Sequence, residues 1–211
     1  MRRLPVYIMI ETAGGMRGER IEAVKNGLDV MVNKLRQDPF ALESVYISII
    51  KFDRVAELII PLTELEVLQV PDIEIPQSSP PHTGEALKFL CSRVEKELIK
   101  GDETQKGDWR PLLFILTRGV PADKFDFKFA IDKVKSLNFA TIVVCTAGSR
   151  NSEEDMKLLT NNVVHLDTAD INTLSSFFKW VSSSIGVGNM SASLDDQITL
   201  PPPPPEVQPI F

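Results

Sequence analysis

Five apolar runs of strand length alternate along the chain with segments whose apolar residues recur at helical spacing. Runs that are continuously apolar predict strands buried on both faces, and such strands belong to parallel sheets covered by helices. The sequence therefore predicts a three-layer α/β/α sandwich around a mostly parallel central sheet. The runs are Leu4–Ile10, Val45–Phe52, Leu112–Thr117, Thr141–Cys145 and Val163–Leu166.

One segment departs from this alternation. Val55–Ile60 is also apolar, and only Asp53 and Arg54 separate it from the preceding run, Val45–Phe52. Two residues cannot hold the crossover that parallel neighbours need, but they suit a tight turn. The pattern predicts a hairpin that adds one antiparallel edge strand to the sheet.

The last part of the chain has a different composition. The chain of 211 residues holds 15 prolines, and five of them are consecutive at Pro201–Pro205. Such a run favours polyproline II and cannot join a helix or a central strand. We predict a folded domain over residues 1–184, followed by a flexible linker and Pro-rich tail over residues 185–211. The tail is interpreted either as a disordered spacer or as a docking peptide that ends at Ile210 and Phe211.

Charge and composition exclude some classes of function. The formal net charge is −6, which is unfavourable for displacing counterions from a nucleic acid. No apolar stretch reaches the roughly 18 residues that a membrane helix needs. Cys91 and Cys145 lie inside apolar runs, so we expect buried packing and a reducing, cytoplasmic environment.

The residues give little support to catalysis. His82 and His165 lie in unrelated contexts, and no nucleophile elbow or Cys/His zinc spacing is present. We therefore expect no enzyme activity and no cofactor. The Gly14–Gly18 loop leaves one alternative open, a nucleotide- or metal-sensing protein. That loop lacks the Lys of a phosphate-binding loop, and Ala13 replaces the first glycine of a dinucleotide motif.

The loop Glu-Thr-Ala-Gly-Gly-Met-Arg-Gly-Glu, which begins at Glu11, resembles the opening of a von Willebrand factor A domain. The chain resembles more closely the TerY type of bacterial tellurium-resistance proteins. The matching stretches occur in order from the first residue to about residue 185, and leave the Pro-rich tail outside. They read MRRLPVYIMIETAGGMRGERIEAVKNGLD, LRQDPFALESVYISIIKFD, KGDWRPLLFILTRGVPAD and LDTADINTLSSFFKWVSSSI.

The resemblance also implies where a metal site would lie. In this family an Asp-x-Ser-x-Ser loop, with a Thr and an Asp from two further loops, usually holds Mg²⁺ or Mn²⁺ at a metal-ion-dependent adhesion site. Here the first aspartate position matches Glu11, and the serine positions match Ala13 and Gly15. The threonine position matches Pro81, and the last aspartate position matches Arg118.

These departures predict a degenerate site that holds no metal. The oxygen ligands of the two serine positions and the threonine position are missing, although Thr83 could replace the last if the second loop shifts. The remaining aspartate position is taken by Arg118. The arginine remains charged at every relevant pH, and a cation ~4 Å from another repels it by about 4 kcal/mol at an effective dielectric near 20. We expect the Arg118 guanidinium to occupy the vacated position and to pair with Glu11. An improvised metal site from Glu11 and Asp53 is the alternative.

The resemblance implies a non-enzymatic interaction module or scaffold in stress signalling, with a protein kinase and a PP2C-like phosphatase as its partners. We expect partner contacts from Arg17 and Arg118 at the rim of the former metal site. Phe125 and Phe129 lie one helical turn apart, whereas Phe127 lies on the face that continues into the core. We therefore predict that Phe125 and Phe129 form an aromatic surface for a protein partner. The alternative is that all three rings pack inside the domain.

Overall fold

The computed structural model describes residues 2–75, 80–148, 153–191 and 199–210. Seven strands within these ranges form one sheet. The strands are β1 (Leu4–Glu11), β2 (Val45–Phe52), β3 (Ala56–Glu64), β4 (Leu112–Thr117), β5 (Thr141–Ala147), β6 (Val163–Leu166) and β7 (Gln208–Pro209). The helices are α1 (Glu19–Leu35), α2 (Pro39–Ser44), α3 (Thr83–Glu97), α4 (Lys124–Ser136), α5 (Glu153–Lys157) and α6 (Ile171–Ser191).

The sheet has the order β3-β2-β1-β4-β5-β6-β7. The four neighbouring pairs within the series β2, β1, β4, β5 and β6 are all parallel. The β2–β3 pair is antiparallel, which confirms the predicted hairpin, and the three-layer α/β/α fold is confirmed with it. A second antiparallel pair, β6–β7, forms at the opposite edge.

Helices cover both faces of the sheet because side chains alternate along each strand. In β1, Val6, Ile8 and Ile10 belong to the core that α1 and α6 cover. Tyr7 and Met9 belong to the core that α3 and α4 cover. Every residue of β1 is buried, so both faces of this strand belong to the cores of the domain.

Helix α2 was not among the elements that periodicity indicated. Asp38 accepts a hydrogen bond from the Phe40 N–H at 3.0 Å, and Pro39 is the first helical residue. An N-cap aspartate followed by proline is a recognised helix start. The helix has only six residues, too few for a periodic pattern.

The C-terminal part differs from the sequence expectation. Helix α6 continues past residue 184 to Ser191, because Ile185 is fully buried on its packed face. Residues 199–210 then lie against the domain, and β7 joins the sheet. The predicted boundary at 184 and the mobile tail are therefore wrong for these residues. Residues 192–198 and Phe211 lie outside the described part.

Both cysteines are buried, as predicted. Burial raises the pKa of the Cys91 thiol to about 11 and raises that of Cys145 well above its usual value. Both therefore stay as neutral thiols that contribute packing. No helix in the described ranges has the length and apolar character that crossing a membrane requires.

The contact between α1 and α6 gives a first testable prediction. A Cβ on Gly27 of α1 would overlap the ring of Phe178, which is 1% exposed and cannot move aside. Gly27→Ala should therefore lower the free energy of unfolding by about 1–3 kcal/mol, measured by urea denaturation.

Gly186 of α6 is the matched control, since a Cβ there meets no atom within 4 Å. Gly186→Ala should leave stability unchanged or raise it by up to about 1 kcal/mol, because alanine favours helix more than glycine does. Equal effects of the two substitutions would contradict this account of the contact.

Candidate binding face at the carboxyl edge of the sheet

Two site residues from distant parts of the chain meet where β1 and β4 end. The strands are parallel neighbours, with Ile10 opposite Leu116, so Glu11 and Thr117 finish side by side. Arg118 follows directly. In open α/β sheets this carboxyl edge is where ligands bind.

The carboxyl group of Glu11 is buried and bound by the protein itself. The side chain is 2% exposed. Its Oε2 accepts hydrogen bonds from the Thr117 hydroxyl and from the Arg118 backbone N–H, both at 2.7 Å. The Thr117 hydroxyl in turn accepts from the Gly119 N–H at 3.0 Å. Glu11 thus ties the end of β1 to the loop after β4. The role of Thr117 as a partner of Glu11 was not predicted. Its position at the end of an apolar run, directly before Arg118, is the sequence signal that could have indicated it.

The Arg118 guanidinium lies elsewhere than expected. It lies over Gly15, where any Cβ would overlap it. The predicted guanidinium–carboxylate pair with Glu11 is wrong. The guanidinium lies at Gly15, and Arg118 contacts the Glu11 carboxyl group through its backbone N–H. With its backbone N–H already 2.7 Å from the carboxyl oxygen, the long side chain extends beyond Glu11 and crosses the glycine surface. The side chain is exposed, and no hydrogen bond or ion pair within the described ranges engages its guanidinium.

Two backbone N–H groups of the first loop donate hydrogen bonds to carbonyl groups within the loop. The Met16 N–H donates to the Ala13 carbonyl at 2.8 Å, and the Arg17 N–H donates to the Gly14 carbonyl at 3.4 Å. These amides are therefore turned inward, unlike those of a loop that cradles phosphate. Gly18 precedes α1 with a φ of +74°, a conformation that glycine adopts without strain.

The Arg20 guanidinium donates to the Gly15 carbonyl at 2.6 Å. Two arginines thus contact Gly15, one at its Cα side and one at its carbonyl. Arg17 is exposed on the same loop. The loop therefore presents cations, and its serine positions carry no oxygen: Ala13 is buried and Gly15 is covered by Arg118.

The second and third loops are joined to each other. The Pro81 carbonyl accepts from the Ala122 N–H at 2.9 Å. The Asp123 carboxyl group accepts from the N–H groups of Gly84 and Glu85 at 3.1 and 2.9 Å, so it caps α3 from across the loop. This role of Asp123 was not predicted.

Thr83, the first residue of α3, is 1% exposed. Its hydroxyl has no hydrogen-bond partner among the described residues. Asp53, the other oxygen considered for an improvised site, accepts from the Val55 N–H at 3.0 Å and forms the β2–β3 turn. Within the described ranges, no three His, Cys, Asp or Glu side chains converge as a metal-binding group.

A cleft of about 780 Å³ opens beside Arg118, between the first loop and the start of α6. Its lining combines two arginines, Arg20 and Arg118, with four carboxylates, Glu19, Glu22, Asp167 and Asp170. Hydrogen bonds from the Thr168 hydroxyl and the Thr173 N–H hold the pKa of Asp170 below its usual value. The cleft is therefore of mixed charge, and Arg118 is a cation on its wall.

The helix after the third loop carries the predicted aromatic surface. Phe125 and Phe129 are 73% and 65% exposed, and their ring centroids lie 4.7 Å apart. Phe127, between them, is 1% exposed and packs against α3. The face assignment is confirmed, and packing of all three rings is excluded. We call Phe125 and Phe129 the aromatic pair.

The buried Glu11–Thr117 contact gives a second prediction. Thr117→Val keeps the shape but removes the hydroxyl, which leaves the Gly119 N–H without its acceptor and Glu11 with one donor fewer. The free energy of unfolding should fall by about 1–3 kcal/mol in chemical denaturation.

Thr117→Ser is the control, since it retains the hydroxyl and loses one methyl group. Its cost should be about 1 kcal/mol. If the serine variant loses as much as the valine variant, then packing and not the hydrogen bonds accounts for the effect.

Comparison with known proteins gives the family. Residues 6–179 match the model of the von Willebrand factor type A domain. No curated protein matches the chain. Among solved structures, proximal thread matrix protein 1 from the mussel byssus superposes with a TM-score of 0.65 at 14% identity, over 86% of this chain and 48% of that one. A further structure of the mussel protein is described as having a zinc-occupied MIDAS motif.

Two bacterial structures have the same fold. A von Willebrand factor type A protein from Catenulispora acidiphila gives a TM-score of 0.63 at 15% identity, over 87% of this chain and 42% of that one. The pilus adhesin SpaC from Lactobacillus rhamnosus GG gives 0.66 at 12% identity, over 89% and 31%. The chain spans less than half the length of these three proteins, and the low identity shows the fold alone. The family model covers most of the chain, and the protein belongs to the von Willebrand factor type A domain family.

Proposed function

We propose that this protein is a non-enzymatic interaction module whose partner-binding face is built around Arg118 and needs no metal ion. The finer assignment is a TerY-type scaffold of the cytoplasm. In it, a Ser/Thr kinase and a PP2C-like phosphatase are the partners in tellurium-resistance or general stress signalling. Membership of the type A family supports the interaction role, because such domains commonly mediate binding to other proteins.

One observation carries the proposal. The Arg118 guanidinium lies over Gly15, at the loop where the family places its metal, while the Glu11 carboxyl group is bound by internal donors. No carboxylate in the described part of the chain pairs with the Arg118 guanidinium, which therefore presents a permanent positive charge at the rim. A metal-bearing relative needs an ion at this loop to present such a charge.

The surrounding residues suit a protein partner. A guanidinium with free donors binds a carboxylate through two parallel hydrogen bonds, so the partner group opposite Arg118 should be an acidic side chain. Arginine and aromatic residues are enriched among those that dominate binding energies. The aromatic pair supplies the apolar contact on the helix that follows the third loop. The nucleotide-sensing alternative gains no support from the amides of Met16 and Arg17, which already donate to carbonyls within the loop. The metal-sensing alternative gains none from the described carboxylates, since no three of them converge with each other or with His or Cys.

The binding face predicts how partner capture responds to substitution. The full chain should retain its partners from native extract in EDTA as well as in Mg²⁺, read by quantitative mass spectrometry. Arg118→Ala and the double variant Phe125→Ser with Phe129→Ser should each lower recovery at least about tenfold, as loss of a central contact does. Phe40→Ser is the matched control, since Phe40 is an equally exposed aromatic residue, at 68%, on α2.

Recovery of a kinase or phosphatase among the partners would support the TerY-type assignment, and their absence would contradict it. Loss of all partners in EDTA, or equal loss with Phe40→Ser, would contradict the metal-free binding face.

The same geometry predicts a restored metal site. Arg118→Asp, Ala13→Ser and Gly15→Ser together remove the cation and return three oxygen ligands, which Mg²⁺ or Mn²⁺ requires in near-octahedral arrangement. The triple variant should bind Mn²⁺ in calorimetry, whereas the wild-type chain should not. Arg118→Asp alone is the control, because it removes the cation that a Cβ on Gly15 would meet without returning the two hydroxyl groups. If the wild type binds Mn²⁺ at these loops with a dissociation constant in the millimolar range or lower, the proposal is overturned.

A further inference from the structure

A groove between the edge strand β6 and helix α6 holds residues 199–210, which we call the tail. The last part of the tail binds as an added strand. The Ile210 N–H donates to the Val163 carbonyl at 2.9 Å, and Pro209 lies opposite Val164 in antiparallel register. Strand addition recognises the peptide main chain, so this end of the groove accepts many sequences.

The first part of the tail binds through its prolines. The indole N–H of Trp180 donates to the Pro201 carbonyl at 2.8 Å, and Trp180 itself is 6% exposed. An aromatic side chain beneath a proline run is the usual way in which proteins bind polyproline II peptides. A cavity of about 220 Å³ remains between Pro201–Pro203 and the β6 edge. The prolines thus bridge the groove without filling it.

Val207 is the fully buried anchor of the tail, and the partly buried Leu200 and Ile210 also pack against the hydrophobic cores. Val207 is 1% exposed and belongs to the same core cluster as Trp180 and Val164. Within residues 199–210, the other side chains are half-buried or exposed. Gln208 adds one polar contact, donating from Nε2 to the Asp167 carboxyl group at 2.6 Å. None of these contacts requires that the peptide be joined covalently to the domain.

We infer that the groove between β6 and Trp180 is a recognition site for proline-rich peptides of a partner protein, and that the tail occupies it as an intramolecular competitor. The peptide that fits has a polyproline II run, then a turn like the one that the Val207 N–H closes on the Pro204 carbonyl at 2.9 Å. An aliphatic anchor at the position of Val207 and two extended residues follow. A short tether raises the effective concentration of the tail to about the millimolar range. A partner peptide therefore gains access when the tail is released. The inference depends neither on Arg118 nor on the aromatic pair.

The test uses the full chain with Val207→Asp, which puts a charge at the buried anchor and should release the tail. A fluorescein-labelled peptide of residues 199–210 is the probe, read by fluorescence anisotropy. It should bind the Val207→Asp chain at least about tenfold more tightly than the wild type, where the tail competes. Glu206→Gln is the matched control, because Glu206 is an exposed tail residue, and this chain should behave as the wild type does.

Two further peptides test the chemistry of the ligand. A probe with Val207→Asp, and one with serine in place of the five consecutive prolines Pro201–Pro205, should each bind the released groove at least about tenfold more weakly. Trp180→Phe in the released chain removes the indole donor and should weaken binding about fivefold. If the serine probe binds as well as the proline probe, the groove is not a proline-rich recognition site.

Absence of probe binding by a Val207→Asp chain that still melts cooperatively would overturn the inference. Equal binding by this chain and the wild type would also overturn it. A wild-type dimer with exchanged tails in native mass spectrometry would assign the groove to a second copy and not to a partner.

If Val207→Asp prevents folding, a protease site inserted within residues 192–198 provides the second route. After cleavage, the labelled probe should exchange with the severed tail. A tail that dissociates without being replaced by the probe would overturn the inference as well.

Discussion

Burial of the central strands on both faces is the constraint on which the rest of the structure depends. Strand β1 is buried along its whole length, and the buried carboxyl group of Glu11 lies at its end. A buried polar group there is costly unless it is hydrogen-bonded. Glu11 meets this requirement with the Thr117 hydroxyl and the Arg118 N–H. The interaction that satisfies the carboxyl group also fixes the main chain from which Arg118 extends.

The position of Arg118 follows from that attachment. The main chain of Arg118 is held at Glu11, and its side chain passes over the first loop at Gly15, where the absence of a Cβ leaves space for the guanidinium. A guanidinium differs from a bound dication in that it is permanent and planar, and it binds a carboxylate by hydrogen bonds and not by coordination. A binding face of this kind is sensitive to salt but indifferent to chelators. Under the proposed function, the face would thus keep a positive charge without a metal ion.

The edges of the sheet are completed in two different ways. At one edge, β3 folds back on β2 through a turn held by Asp53. At the other, β7 from the tail pairs with β6, which prevents an exposed edge from pairing with another chain. The tail also contacts Asp167, and Asp167 lines the cleft beside Arg118. The groove and the binding face therefore share one loop, between β6 and α6.

The sequence alone determined the layers, the hairpin and the identity of the loops. It could do so because apolar runs and helical periodicity are local patterns that record which side chains will be buried. The period of a helix also predicted that Phe127 is core and that the aromatic pair lies on another face, and the structure then excluded packing of all three rings. Only the tertiary structure decided where Arg118 points, because that depends on a hydrogen bond from its own backbone to a residue 107 positions away. It likewise decided that α6 continues to Ser191 and that the tail docks. Composition favours a mobile segment there, but the buried side chains of Ile185 and Val207 stabilise an ordered one through contacts that no local pattern records.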